Sequence, residues 1–150
     1  VTVIRRAHGR DDRGSAILEV IVLGVAVLVP LAYLGLAAAT VQSAAFAGSQ
    51  AVREAARAFA TSATAEQGRA RAAAAARLAL GDHGFTAPRH AVVVTCPAGP
   101  CLTPGSVVDV RLDWEVPVPW VPAIAGDGPA SVRLTAAHRL PIDDFRRDAT

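Results

Sequence analysis

The sequence predicts an α+β chain: a long N-terminal transmembrane and stalk helix, a second short helix, then a small antiparallel β-sheet of about three strands. Three observations carry this expectation. Residues Val20 to Ala39 form an uncharged apolar run, an alanine-rich, arginine-bearing stretch follows it, and segments of the second half alternate apolar with polar residues.

At about 1.5 Å per residue, VIVLGVAVLVPLAYLGLAAA reaches across the roughly 30 Å hydrocarbon layer of a bilayer. The run has no polar face, and a chain of 150 residues is too small to surround it on every side. Gly24, Pro30 and Gly35 stand inside it. Pro30 would free the Ala26 carbonyl from its helical bond, so a local bend or unwinding is expected there. The three residues read either as packing positions against a neighbouring helix or as tolerated filler, since Gly and Pro are common in membrane helices. Arg5, Arg6, Arg10 and Arg13 precede the run, and the next charge after it is Arg53. That bias predicts a single-pass protein with its N-terminus in the cytoplasm and its C-terminal part outside.

Beyond the run, the helix should continue towards Phe59, with Arg53, Glu54 and Arg57 on one side and Val52, Ala55, Ala56 and Phe59 on another. Thr61-Ser62-Ala63-Thr64 interrupts it. Thr64 and Gln67 form a capping-box pattern that opens a second helix through Ala70 to Leu80, ended by Gly81.

Strand signals come next. Val108, Val110, Leu112, Trp114 and Val116 alternate with Asp109, Arg111, Asp113 and Glu115, giving one buried and one wet face. Arg89 to Thr95 supplies a partner strand, and Val132, Leu134, Ala136 and Leu140 a third, with His138 at a nominally buried step. The helices would cover the apolar face. Pro117-Val118-Pro119-Trp120-Val121-Pro122 should form neither ladder nor helix. Trp120 on that stiff loop is either a contact for a partner or lipid headgroups, or folds over the edge of the thin core.

Cys96 and Cys101 enclose Pro97-Ala98-Gly99-Pro100, a spacing unlike that of redox or zinc motifs. A local disulfide stapling the tip of the first hairpin is the better reading for a domain outside the cytoplasm. All fifteen basic residues are arginine and they are scattered, for a net charge of +2, so nucleic acid is not an expected partner. His83, His90 and His138 occur singly, no G-x-S-x-G elbow or phosphate loop is present, and neither an enzyme nor a metal or cofactor site is expected.

Glu19 is the informative residue: a carboxylate at the cytoplasmic end of the apolar run, between Leu18 and Val20. At mid-membrane an unpaired acid costs about 2.5–3.5 kcal/mol on insertion scales, and less near the interface. Retaining one suggests either a paired group or a side chain that reaches the interface.

The stretch Arg13-Gly14-Ser15-Ala16-Ile17-Leu18-Glu19 resembles the class III leader junction of type IV pilin-like proteins: a basic, polar leader, a glycine, then an apolar helix with glutamate fifth. Val41 to Ala60 is similar to the helix that follows the anchor in TadE-like pseudopilins of tight-adherence (Flp/Tad) pilus systems. Pro30 lies farther along than this group leads one to expect. The resemblance implies that a prepilin peptidase cuts after Gly14, leaving Ser15 as the new N-terminus, and that the Ser15 ammonium meets Glu19 of an adjoining subunit during assembly. It implies a structural role, with other pilin-like subunits, the peptidase, export machinery and membrane lipid as partners. The segments would be a cleaved leader at 1–14, a span at 15–40, extracytoplasmic helices at 41–82 and a sheet domain at 83–150. Two rivals stand beside it: an exported binding protein whose signal peptide is cut near Ala37-Ala38-Ala39, and an unprocessed membrane-anchored accessory or enzyme subunit whose Glu19 pairs within another complex.

Overall fold

The structure, a computed structural model, describes residues 12–97, 99–118 and 130–146. The order of elements is α1 (Asp12–Ala60), α2 (Ala65–Asp82), a 3₁₀ turn (Arg89–Ala91), β1 (Val92–Thr95), β2 (Val107–Pro117) and β3 (Ser131–Pro141). This is the α+β arrangement that the alternation patterns predict. The chain divides into two compact units, Val1–Leu36 and Ala37–Thr150.

Within the first unit, α1 is helical through Pro30, so no unwinding occurs there. A proline ring removes one backbone bond, and the flanking turns keep theirs.

The second unit is built on an apolar stripe. From Ala44 onward Ala44, Ala47, Ala51, Val52, Ala55, Ala56 and Phe59 are buried, while Arg53, Glu54 and Arg57 are exposed. The spacing of three and four residues is that of one helix face. Thr61 and Ser62 close the helix by returning their hydroxyls to the Arg57 and Ala58 carbonyls, at 3.0 and 2.7 Å. Thr64 then caps α2, its Oγ1 accepting the Gln67 N–H at 3.2 Å.

Gly81 does not end α2. The helix runs to Asp82, and its stop is Gly84, which has a φ of 77°. The Gly84 N–H bonds the Gly81 carbonyl and the Phe85 N–H bonds the Leu80 carbonyl, both at 2.9 Å. These two bonds are a Schellman closure, which needs a left-handed residue just past the helix. Gly81 lies one turn too early to supply it. The accompanying apolar pair is Leu80, fully buried, and Phe85, which packs against the core.

The sheet has the order β1-β2-β3 and is antiparallel throughout. The first strand is shorter than Arg89 to Thr95. Its opening residues form the 3₁₀ turn, in which the Ala91 N–H bonds the Pro88 carbonyl at 3.0 Å, and only Val92–Thr95 pair with β2. Pro117 belongs to the ladder, opposite Ser131. The Val118 N–H bonds the Ala130 carbonyl at 2.8 Å, so by strand alternation the nitrogen of Pro117 faces the other edge. There β1 reaches only as far as Leu112, and the missing N–H leaves no partner unsatisfied. Residues 119–122, Trp120 included, lie outside the described residues.

The inner face of β2 carries Val108, Val110, Leu112, Trp114 and Val116, all buried. Each large side chain removed from water contributes about 1.5–3 kcal/mol. Glycine permits the closest helix contacts. A Cβ on Gly48 would stand 1.9 Å from the Trp114 ring, and one on Gly68 would stand 2.8 Å from the Phe59 ring. Helix α1 therefore lies directly on Trp114, and α2 on Phe59. The Trp114 Nε1 is buried without a hydrogen-bond partner among the described residues. Close packing of the ring prevails there over satisfaction of its one donor.

Candidate functional site

The first candidate is the apolar part of α1. Every residue from Ala16 to Leu36 is exposed, large side chains such as Ile17, Leu28 and Leu34 by more than 60%. Residues 16–60 include an 18-residue window with a mean hydropathy of 2.6, none of it buried, so this one described helix is long and apolar enough to cross a membrane. Gly24 and Gly35 face open space, with no atom within 4 Å of where a Cβ would stand, and Pro30 is likewise exposed.

Gly14 and Ser15 belong to the first turns of α1, and Glu19 follows one turn after Ser15. Glu19 is exposed, and no described side chain makes a hydrogen bond or ion pair with it. The helix thus joins a greasy surface to one carboxylate with no intramolecular mate among the described residues. Such a surface can enter lipid or pack against other helices, and such a carboxylate can take a cation.

The second candidate is the outer face of the sheet. Register places Asp109 opposite Arg139, Asp113 opposite Thr135 and Glu115 opposite Arg133. Arg139 Nε donates to Asp109 at 2.6 Å, Arg133 Nη2 to Glu115 at 3.0 Å, and Arg111 Nε to Asp113 at 2.8 Å, with Thr135 Oγ1 also donating to Asp113 at 2.5 Å. The Arg139 hydrogen bonds hold the Asp109 carboxyl below its ordinary value, against a smaller opposing effect of desolvation. Asp113 is lowered by its bonds from Arg111 and Thr135. An open concavity of ≈ 760 Å³ lies beside this ladder, with Thr86, Pro88 and His90 on its wall. The two carboxylates that line it, Asp113 and Glu115, are each bonded to an arginine. Among the described residues no group of three His, Cys, Asp or Glu side chains could hold a metal ion.

Cys96 and Cys101 form a disulfide, with Cα atoms 5.1 Å apart, at the tip between β1 and β2. The staple fits the hairpin expected from Pro97 and Gly99. Around it the Gly105 N–H bonds the Ile142 carbonyl and the Ile142 N–H bonds the Ser106 carbonyl, so the loop is tied to the segment after β3. Three links were not legible in the sequence. Arg146 donates through both Nη atoms to the Ala60 and Ser62 carbonyls, closing the C-terminal end of α1. His83 Nε2 meets Gln50 Oε1 at 3.0 Å, joining the two helices, and Arg69 reaches the Cys101 sulfur. Each joins residues more than thirty positions apart, and no local spacing signals such a pairing.

No family model matches the chain, and neither a curated protein nor a solved structure matches it.

Proposed function

We propose that this chain is a pilin-like structural subunit, of pseudopilin or minor-pilin type, for assembly of an adhesion-type pilus. A single membrane span holds it, with the N-terminus cytoplasmic and the unit from Ala37 onward outside. The observation that supports this best is a helix exposed on all sides from Ala16 to Leu36 with a carboxylate, Glu19, that has no partner among the described residues and stands five residues after Gly14.

Energetics favour insertion. Thirteen Ile, Leu and Val side chains lie between Ile17 and Leu36. At about 0.3–0.6 kcal/mol each on insertion scales they contribute roughly 4–8 kcal/mol, against at most about 3 kcal/mol for an acid near the interface. Lipid resolves the apolar demand and leaves the carboxylate. Hydrolysis of the Gly14–Ser15 peptide bond by a prepilin peptidase would create an ammonium group at Ser15. Carried on an adjoining subunit, that cation can pair with Glu19 and set the stagger between neighbouring helices. The anchor remains after the leader is lost.

The test is a pair of variants co-expressed with a prepilin peptidase. Gly14→Leu is expected to abolish the mass loss of the leader, and Glu19→Ala to permit it while reducing incorporation into assembled fibres several-fold. Normal assembly by both variants would overturn the proposal. A second reading draws on the start of the compact unit at Ala37, which coincides with the small residues Ala37-Ala38-Ala39 of a signal-peptidase site. N-terminal sequencing of the mature protein separates the two: Ser15 supports the pilin-like subunit, and a residue near 40 supports an exported binding protein.

A further inference from the structure

We infer that the Cys96–Cys101 disulfide is an exchange site for a dithiol oxidoreductase, with Cys101 as the sulfur that leaves as a thiolate. The two cysteines are only half-buried, so an attacking sulfur can reach the bond from solvent. Their surroundings differ in charge. Arg69 on α2 brings its Nη2 to 3.9 Å from the Cys101 sulfur, and among the described residues no carboxylate claims that guanidinium. Cys101 also lines a concavity of ≈ 270 Å³ shared with Thr64, Thr103 and Arg146, and none of the residues lining it is acidic. Of the nearby carboxylates, Glu66 is exposed in the first turn of α2, Asp143 accepts the Phe145 N–H at 2.9 Å, and Asp144 lies against Gly105 with Oδ1 2.9 Å from where a Cβ would stand; none of them bonds Arg69. Among the described residues no cationic side chain bonds the Cys96 sulfur, which lies just past the end of β1.

A developing negative charge is therefore met at Cys101, and thiol–disulfide exchange goes faster when the departing sulfur is the better-stabilised anion. The step begins with a thiolate of the dithiol protein attacking Cys96 Sγ. A bond forms between those two sulfurs, the Cys96–Cys101 bond breaks, and Cys101 carries away the electron pair beside Arg69. The second thiol of the oxidoreductase, deprotonated, then attacks its own partner sulfur, releasing Cys96. This chain gains two electrons and two protons as thiols, and the dithiol becomes a disulfide. Run in reverse, the same site installs the staple. This inference does not depend on the pilin-like reading.

The experiment uses the full chain in detergent, reduced with a phosphine and trace-alkylated with iodoacetamide at pH 7 and at pH 10, with each cysteine quantified by mass spectrometry. The ratio at pH 10, where both sulfurs are anions, corrects for unequal access. The pH 10 ratio also contains the lower nucleophilicity of a stabilised anion, so a gain of about tenfold in thiolate fraction predicts that Cys101 reacts about tenfold faster than Cys96 at pH 7 after that correction. Arg69→Gln, an exposed substitution whose fold is checked by circular dichroism, should return the ratio to about one. A corrected ratio of one in the unaltered chain, or one that Arg69→Gln leaves unchanged, overturns the inference. A dithiol oxidoreductase lacking its resolving cysteine should be trapped on Cys96, and trapping on Cys101 alone also overturns it.

Discussion

Replacing Gly48 with alanine sets a methyl group against the indole of Trp114, with the new Cβ 1.9 Å from Cη2 and 2.8 Å from Cζ2 and Cζ3. Carbon atoms rest at about 3.5–4.0 Å, so ring or helix must retreat by well over 1 Å. Trp114 is 3% exposed and pressed between α1 and β2, which leaves the ring little room. Overpacking of this kind costs about 1–3 kcal/mol, and here the upper end applies. Against it stands the gain from removing a helical glycine, about 1 kcal/mol. A net loss of about 2 kcal/mol is expected, lowering the melting temperature of the second unit by roughly 5–10 °C. Gly81→Ala is the control, since its Cβ would meet nothing within 4 Å and only the helix-propensity gain remains. Far-UV circular dichroism of the detergent-solubilised chain should show opposite shifts for the two variants. In a Trp114→Leu background the Gly48→Ala penalty should largely vanish, because the atoms it strikes are gone. A Gly48→Ala protein that melts higher, the outcome expected for Gly81→Ala, would refute the packing of α1 on the sheet.

Two more outcomes follow from the outer face and the C-terminal segment. Asp109 and Asp113 are held below their ordinary value of 3.8 by arginine, so their contribution to stability is complete above that value and is lost as pH falls through their lower folded values. Acid titration monitored by circular dichroism should show a loss below about pH 4 that Arg139→Gln diminishes, and an unchanged acid limb would count against the ladder. Arg146→Ala removes two charge-assisted bonds to the Ala60 and Ser62 carbonyls and should cost roughly 1–3 kcal/mol in chemical denaturation, with amide exchange rising first in the last turn of α1.

The fold was legible wherever a period recorded an environment. Val108 to Val116 alternates because β2 has one face under the helices and one in water, and Val52 to Phe59 repeats at helical spacing because that stripe lies on the sheet. Thr64 announced its helix because capping needs only a hydroxyl three residues before an N–H. The errors share a cause. Gly81 looked like a stop because glycine is common there, yet termination depends on which residue adopts a positive φ, and Gly84 does. Pro117 looked unfit for a ladder because the lost N–H matters only when a partner faces it, and at this level β1 has already ended. Gly48, Gly68 and Arg146 act through contacts between distant segments, which composition does not encode. Gly14, Ser15 and Glu19 follow one another within the first turns of α1, and the role proposed for them rests on that sequence order.

The distribution of unmet interactions supports reading function at the helix rather than at the sheet. On the outer face each described acid of β2 has an arginine bonded to it, so a ligand there would have to break pairs already made. In the core of the second unit the apolar residues cover one another, and the disulfide and the Ile142 bonds hold the hairpin tip. From Ala16 to Leu36 the situation is reversed, with apolar side chains outward on every side and Glu19 lacking a described partner. Water is a poor environment for the former, and lipid alone is a poor one for the latter. A surrounding that offers hydrocarbon along the run and a cation near Glu19 meets the two demands together. A neighbouring helix bearing a free N-terminal ammonium is such a surrounding, and cleavage after Gly14 would produce it in every copy of this chain.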